Sequence, residues 1–217
     1  MSFTTLLSCE LVSKGDKPLV RTARGRLSYP VIFEPKAMAN DDSTGSPKLR
    51  YSTTLLFPAN ADLTALMDAC YAVAAKKWGE QWQKKFPKLP MPWHATTDEN
   101  QDGIPHYTKI GVDPKAFPVF IRTGSNADFG RPGVVNAQAQ TVGAERADQV
   151  YPGRWARLTV QPYAYERSNK KGVSLGLQNV QLLEDDEPLA SMRRAASSEF
   201  EAVPISDSAD ALFGGAS

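Results

Sequence analysis

The chain has 217 residues, of which 41% are hydrophobic and 23% charged, and this composition is typical of one globular domain with a core of ordinary size. No apolar run approaches the 18 or so residues that a membrane-spanning helix needs, and the N-terminus lacks the basic and apolar segments of a secretory signal. We therefore expect a cytoplasmic protein with no part in a membrane.

The net charge of +1 conceals a division between the body of the chain and its C-terminal end. Residues 1–183 contain 23 lysines and arginines against 16 acidic residues, whereas residues 184–217 contain 2 against 8. A basic body suggests a polyanionic partner. The acidic end is open to three interpretations: a tethered competitor of that partner, a docking segment for basic proteins, or a solubilising tail.

The sequence contains no recognisable catalytic or metal site. Cys9 and Cys70 lack CxxC spacing, and nothing in their spacing with His94 and His106 supports a shared metal ion. No serine or cysteine near the histidines lies in a nucleophile motif, and the acidic residues of the body are scattered rather than clustered as a nuclease requires. We expect no enzymatic activity, no metal, no cofactor and two reduced, packed thiols.

The N-terminal part of the chain predicts two strands. A short strand is expected near residues 3–12, and an apolar run at residues 27–33 follows three arginines, Arg21, Arg24 and Arg26. Pro30 interrupts this run and has no N–H to donate, so the strand should end, bulge or follow a sheet edge there. Residues 39–47 have the composition of a surface turn.

A strand and a helix follow. Alternation over residues 48–58 predicts a strand with one basic face, and apolar residues at steps of three and four predict one helix over about residues 61–86. Asn60 or Asp62 is its expected cap, and Pro87 prevents its extension. Four lysines in its second half complement the helix dipole: Lys76, Lys77, Lys84 and Lys85.

The middle of the chain is irregular. Residues 87–118 form a long, proline-rich insertion in which Trp93, Tyr107 and Lys109 either line a groove or pin the loop. Residues 117–125, FPVFIRTGS, predict a strand, and residues 124–149 predict loops with short elements. Phe129 and Arg131 form either an exposed aromatic–cation pair or part of an ordinary turn.

Residues 150–182 predict a hairpin, and it is the most informative stretch. Alternation places Ala156, Leu158, Val160 and Ala164 toward a core. The opposite face receives Arg157, Thr159, Gln161, Tyr163, Tyr165 and Arg167, next to Lys170 and Lys171 of the turn. A change of parity in the second strand predicts a β-bulge near Asn179, which would increase the curvature of the sheet. Tyrosines between cations suit a flexible polyanion with exposed bases, although tyrosines that merely cover a sheet edge would give the same pattern.

Six short motifs together resemble a known family. They are RLSYP with FEPK (residues 26–30 and 33–36), the YS-to-LFP strand (51–58), RPGVV (131–135), VYPG (150–153), YAY (163–165) and KGVSLGLQNVQ (171–181). The sequence resembles the bacteriophage single-stranded-DNA-binding proteins of OB-fold type over most of residues 24–190. The last motif is the most distinctive.

The resemblance implies a mainly β protein with a helical insertion, built on a five-stranded OB-type barrel over residues 1–190, and a flexible acidic tail over residues 191–217. It also implies binding of single-stranded DNA without strong sequence preference during phage replication, recombination and repair in the host cytoplasm. The tail would recruit replication or recombination proteins through Asp207, Asp210, Leu212 and Phe213. Such tails often end in an aromatic residue, whereas four small residues follow Phe213 here.

The expected site combines stacking with phosphate contacts. The stacking platforms would be Tyr163 and Tyr165, with Tyr51 or Trp155. The phosphate contacts would come from Lys48, Arg50, Arg157, Arg167, Lys170 and Lys171. The alternatives are an adaptor or assembly protein that uses the hairpin face as an interface, or a binder of single-stranded RNA. The sequence is compatible with a monomer or an oligomer.

Overall fold

A computed structural model describes residues 6–37, 48–99, 103, 105, 107, 110–167 and 170–189. The turn expected at residues 39–47, His106, Lys109 and the whole segment from residue 190, including the docking residues of the tail, lie outside the described residues.

The described residues form nine strands, one α-helix of 15 residues and one of 4 residues. The strands are β1 (Glu10–Ser13), β2 (Leu19–Arg21), β3 (Gly25–Ala37), β4 (Leu49–Phe57), β5 (Trp93–Ala95), β6 (Val119–Asn126), β7 (Gly133–Val135), β8 (Trp155–Arg167) and β9 (Lys170–Leu182). The helices are α1 (Thr64–Trp78) and α2 (Trp82–Lys85), and two 3-10 helices cover Ala127–Phe129 and Ala144–Gln149. The prediction of a mainly β protein with a helical insertion is confirmed.

Five of the strands pair in a ring. β3 pairs with β4, β4 with β6, β6 with β9, β9 with β8, and β8 returns to β3. All of these pairings are antiparallel except that of β6 with β9. β2 and β1 extend the sheet from β8, β7 adds to β9, and β5 adds to β6.

β3 is irregular where the sequence predicts it. The pairing of β3 with β4 shifts register between Ser28 and Val31, and Tyr29 has a positive φ of 47°. Pro30 cannot donate to the ladder, so the strand bulges at that point and continues beyond it. The expected interruption at Pro30 is confirmed as a bulge.

The single helix expected over about residues 61–86 is wrong in one respect, because it is divided into α1 and α2. Gly79 ends α1 with a φ of 85°, a conformation that favours glycine, and its N–H donates to the Ala75 carbonyl oxygen. The cap expected at Asn60 or Asp62 is wrong, because the N-cap is Leu63 and makes no side-chain cap hydrogen bond. The Asp62 carboxylate, one residue earlier, accepts a hydrogen bond from the Thr64 N–H at 2.9 Å. No helix of the described residues is long and apolar enough to span a membrane.

The main core fills the inside of the ring and extends under α1. Its fully buried side chains include Leu27, Leu55, Ile121, Leu158 and Leu175 from the ring strands and Leu66 from α1. Cys9 and Cys70 are free and buried in this core. Burial raises the pKa of Cys9 to about 11 and that of Cys70 to about 12, so both thiols are inert packing groups at neutral pH.

A second, smaller core lies outside the ring. Tyr107, from the long insertion, is 3% exposed and packs its ring 4.7 Å from that of Phe120 on β6. Trp93 packs against the main core instead, edge-on to Tyr71 of α1, with ring centroids 5.8 Å apart. Tyr107 therefore pins the insertion to the ring and Trp93 pins it to α1, as one of the two roles that the sequence left open for them.

Candidate nucleic-acid interface

The hairpin of β8 and β9 presents the predicted polar face. Tyr163 lies opposite Ser174, Tyr165 opposite Gly172, and Arg167 opposite Lys170. Tyr163 is 39% exposed, and Arg167 is exposed as well. The alternation predicted from residues 155–167 is confirmed, and the expected bulge is present because the register shifts between Thr159 and Val160, which leaves Gln178 of β9 as the extra residue.

Tyr165 is less available than Tyr163. Its hydroxyl group lies over Gly172, so close that a Cβ atom at Gly172 would be 2.8 Å from it. The ring is half-buried and covers a glycine of the facing strand. Tyr163 is therefore the principal exposed ring of the hairpin, and Tyr165 lies two residues nearer to the turn.

The face of Tyr163 continues across the ring. The register places Gln161 opposite Gly176, Gly176 beside Gly124, and Gly124 opposite Ser52, so four strands contribute one row of small or short side chains. Tyr163, two residues beyond Gln161, stands on one side of this row.

Arg122 of β6 stands on the same side of the row as Tyr163. It lies two residues before Gly124 and pairs with Thr54, and because β9 and β6 are parallel it is displaced in the same direction as Tyr163. Its guanidinium is exposed and lies 5.3 Å from the centre of the Phe120 ring. The sequence prediction omitted Arg122. The signal was present in FPVFIRTGS, where one arginine interrupts an apolar strand.

Arg50 of β4 stands on the opposite side of the row, paired with Asn126. Its Nε atom is buried and has no hydrogen-bond partner among the described residues. Arg50, Arg122, Arg167 and Lys170 also have no ion pair with any described carboxylate. Lys48 precedes β4 and is exposed. This face therefore carries positive charge that the described part of the protein does not neutralise.

His94 of β5 adds an aromatic group beside Arg122. Its ring stacks on Phe120 with centroids 5.2 Å apart and an interplanar angle of 26°. Burial lowers the pKa of His94, the positive charge of Arg122 lowers it further, and Asp98 opposes both effects. The imidazole is thus neutral at pH 7 and presents a flat, uncharged ring.

Lys171 is separated from the tyrosines. Its ammonium group lies 3.2 Å from Glu166 and 4.3 Å from the centre of the Phe86 ring. Glu166 also accepts a hydrogen bond from the Trp78 indole at 3.0 Å. These contacts place Lys171 on the helix side of the hairpin, because adjacent residues of a strand point to opposite faces.

Arg157 is buried rather than exposed. Its side chain is on the predicted face of β8, but the residue is only 6% exposed because β2 pairs alongside. The guanidinium donates to the Thr22 carbonyl oxygen at 2.9 Å and lies 3.4 Å from Glu10. The expectation that Arg157 is exposed for phosphate contact is not met. Tyr51, 8% exposed, likewise offers little ring surface to a base.

Trp155 lies at the far end of β8, eight residues from Tyr163, which is about 26 Å along a strand. Its indole donates to Asp186 at 2.8 Å, and the Arg24 guanidinium lies 4.0 Å from the ring centre. The structure therefore places Trp155 in a different cluster from the hairpin tyrosines.

The acidic residues after β9 belong to this second cluster. We call residues 183–189 the acidic strap, because they are rich in acidic residues and cross the junction at which β3 pairs with β8. Glu184 pairs with Arg24 at 3.1 Å and Asp186 with Arg26 at 3.5 Å. Asp185 pairs with Arg154. The strap carboxylates that the charge count assigned to a tail are thus part of the folded body, and they neutralise its arginines at this end.

Two further features complete the surface. The Arg131 guanidinium lies 5.3 Å from the centre of the Phe33 ring, so its aromatic partner is Phe33 rather than the expected Phe129. Phe129 itself is 83% exposed. Within the described ranges, no group of three or more histidine, cysteine, aspartate or glutamate side chains could hold a metal ion.

Comparison with known proteins identifies the family. The sequence matches the family described as "Enterobacter phage Enc34, ssDNA-binding protein" over residues 19–212. The chain belongs to this family. No curated protein sequence matches the chain.

Solved structures of phage proteins share the fold of this member of the Enc34 family. The single-stranded DNA-binding protein of bacteriophage Enc34, in complex with ssDNA, is 21% identical, with a TM-score of 0.54 over 83% of this chain and 97% of that one. A second structure of the Enc34 protein is 20% identical, with a TM-score of 0.53 over 89% and 99% of the chains. The gp2.5 single-stranded DNA-binding protein of bacteriophage T7 is 15% identical, with a TM-score of 0.52 over 88% and 100%.

The motifs that resemble those of phage single-stranded-DNA-binding proteins fall mainly on the ring strands and on the turn before β8. RLSYP is the first half of β3 with its bulge, and YAY and KGVSLGLQNVQ lie within β8 and β9. VYPG forms the turn before β8, where the Gly153 carbonyl oxygen accepts a hydrogen bond from Arg26 at 2.9 Å. The motifs therefore combine residues of the exposed face with residues that close the ring.

Proposed function

We propose that this protein binds single-stranded DNA without strong sequence preference, through the outer face of β8, β9, β6 and β4. One observation carries the proposal: the exposed Tyr163 shares this face with Arg50 and Arg122, cations without an ion pair among the described residues. Membership of a family of phage single-stranded-DNA-binding proteins supports it.

We assign the ring to the OB fold. The support is the strand order, in which five strands pair in a closed ring. All neighbours are antiparallel except the third and fifth ring strands, β6 and β9, which are parallel. OB folds bind oligonucleotides on the face of their second and third strands, which correspond here to β4 and β6. The domain would cover residues 1–190, followed by the tail at residues 191–217.

The chemistry of the face explains why binding would not depend on sequence and why it would favour single strands over duplex. A base can stack on Tyr163, and Tyr165 can extend the platform, because every base has a π-face; such stacking contributes about 1–3 kcal/mol per base. Arg50, Arg122, Arg167 and Lys170 would contact phosphates, with Lys48 near the start of β4. Duplex DNA is disfavoured because its base faces are already stacked.

The biological setting follows the family. Protection of transient single strands in the host cytoplasm would serve phage DNA replication, recombination and repair. Preferential binding to the single strand also destabilises duplex by mass action. We retain the proposal that the tail residues Asp207, Asp210, Leu212 and Phe213 dock replication or recombination proteins.

A fluorescence titration tests the function. Labelled oligothymidylate of about 30 nucleotides exceeds the roughly 4–16 nucleotides that one OB domain covers, and a duplex of equal length is the comparison. We expect binding to be selective for the single strand. With about four phosphate contacts, log affinity should fall with log salt at a slope near −3, at about −0.7 per contact. Equal affinity for duplex, or affinity insensitive to salt, would overturn the proposal.

A further inference from the structure

Gly176 is a glycine that the fold does not require. It lies in the interior of β9, it is not among the residues with positive φ, and it is half-exposed. A Cβ atom built on it would be 3.6 Å from the Gln161 carbonyl oxygen and 3.7 Å from the Gln178 amide, which are ordinary contact distances. Neither backbone conformation nor packing therefore excludes a Cβ atom at this position.

The neighbouring glycines of the same face differ in this respect. A Cβ atom at Gly124 would be 2.8 Å from the Tyr51 carbonyl oxygen, and one at Gly172 would be 2.8 Å from the Tyr165 hydroxyl and 2.9 Å from the Pro90 carbonyl oxygen. The fold itself requires these two residues to be glycine. At Gly176 a Cβ atom would make only ordinary contacts with the described residues.

A glycine at this position lowers the stability of the folded protein. Glycine in a strand interior loses more conformational entropy on folding than other residues and contributes no side chain to the sheet. A glycine in a strand interior often marks a bulge, a tight bend, or a place where a ligand or another backbone approaches closely. The bulge of β9 lies at Gln178, whereas Gly176 pairs regularly with Gln161. Since the described residues leave this space open, the structure points to an external group.

The position of Gly176 indicates which group. It lies between Gln161 on β8 and Gly124 on β6, at the centre of the row that has Tyr163 and Arg122 on one side and Arg50 on the other. A strand that stacks a base on Tyr163 and meets cations on both sides of the row must cross it. Of the two glycines in this row, Gly176 is half-exposed whereas Gly124 is buried.

We propose that Gly176 is a DNA-contacting residue, the point at which a bound nucleotide comes nearest to the sheet backbone. The inference rests on the proposed function and names a contact within it. The absence of a side chain lets the nucleotide settle low enough for its base to stack on Tyr163 while its phosphates meet Arg122 and Arg50. A side chain at this position would lift the strand from the platform.

The test is a graded series, Gly176→Ala and Gly176→Val, measured for oligothymidylate affinity and for Tm. A purely structural role predicts unchanged binding with equal or higher Tm, because alanine and valine suit a strand better than glycine. The proposal predicts that affinity falls while Tm does not. The loss should be a few-fold for alanine and about tenfold or more for valine, which corresponds to losing about one stacked base.

Ser13→Val provides the matched control, because Ser13 is exposed on the edge strand β1, away from this face. Its affinity should equal that of wild type. If Gly176→Val binds like wild type, the inference is wrong and the proposed function stands; if wild type itself does not bind, the proposed function has failed. If Gly176→Val loses Tm, Gly176→Ala decides: unchanged affinity in that variant overturns the inference.

Discussion

The Arg157 Nε atom donates a hydrogen bond to the Thr22 carbonyl oxygen at 2.9 Å, and the Thr22 hydroxyl accepts one from the Leu158 N–H at 2.9 Å. These two hydrogen bonds, both donated by β8 to Thr22, join the segment after β2 to β8 on the outside of the ring. They give Arg157 a structural role, although its sequence position places it among the predicted phosphate contacts.

We expect Arg157→Met to destabilise the protein without changing its DNA contacts. The variant leaves the buried Thr22 carbonyl oxygen without its donor, which costs about 1–3 kcal/mol of the free energy of unfolding. Urea denaturation measures this loss, and an oligothymidylate titration below the transition should give wild-type affinity. A fall in affinity as large as that of an Arg122 variant would instead return Arg157 to the binding face.

The case of Arg157 shows what alternation can and cannot predict. Period-two alternation correctly assigned the two faces of β8, because it depends only on strand geometry. Alternation could not show that β2 pairs with the first half of β8 and buries Arg157 there. Tyr163 lies in the second half of β8, beyond the residues that pair with β2. Exposure depends on strand pairing, and pairing is a property of the whole ring.

Arg122 shows the converse limitation. Its place beside Tyr163 follows from the contact of β6 with β9, which are separated by more than forty residues in sequence. Lys171 is a simpler case. Its position next to the turn suggests the tyrosine face, but it pairs with Glu166 and therefore points to the opposite face. Motifs could suggest the family and the ring, but the composition of the face required the register.

Tyr163 should be the dominant stacking residue of the hairpin. Tyr163→Ala removes the exposed ring, and we expect the affinity for oligothymidylate to fall by about 1–3 kcal/mol. Tyr163→Phe is the matched control, because it keeps the π-face and removes only the hydroxyl. Both variants are measured by fluorescence titration at one low salt concentration. If the alanine variant binds as the phenylalanine variant does, base stacking on this ring is excluded.

The cations of the face should determine the salt dependence. Arg122→Gln and Arg50→Gln each remove one of the proposed phosphate contacts, so the slope of log affinity against log salt should become shallower by about 0.7 in each variant. Lys77→Gln is the control, because Lys77 is exposed on α1 and its loss changes net charge equally. Titrations at four or more salt concentrations supply the slopes. Equal changes in all three variants would indicate a general charge effect and not contacts of this face.

His94 should make the stability of the folded protein sensitive to mild acid. Burial and the charge of Arg122 lower its pKa in the folded state below the ordinary value of 6.5, so the unfolded chain binds its proton first. Linkage then requires that stability rises with pH wherever the unfolded state holds more protons. The contribution of neutral His94 is fully present above about pH 6.5 and is lost as the pH falls below it.

His94→Gln cannot titrate and should lose less Tm between about pH 7.5 and about pH 5.5, values on either side of the ordinary imidazole pKa. Thermal melts followed by circular dichroism at both pH values measure the difference. Equal losses of Tm in the two proteins would show that His94 titrates alike in the folded and unfolded states, and that the field of Arg122 does not act on it.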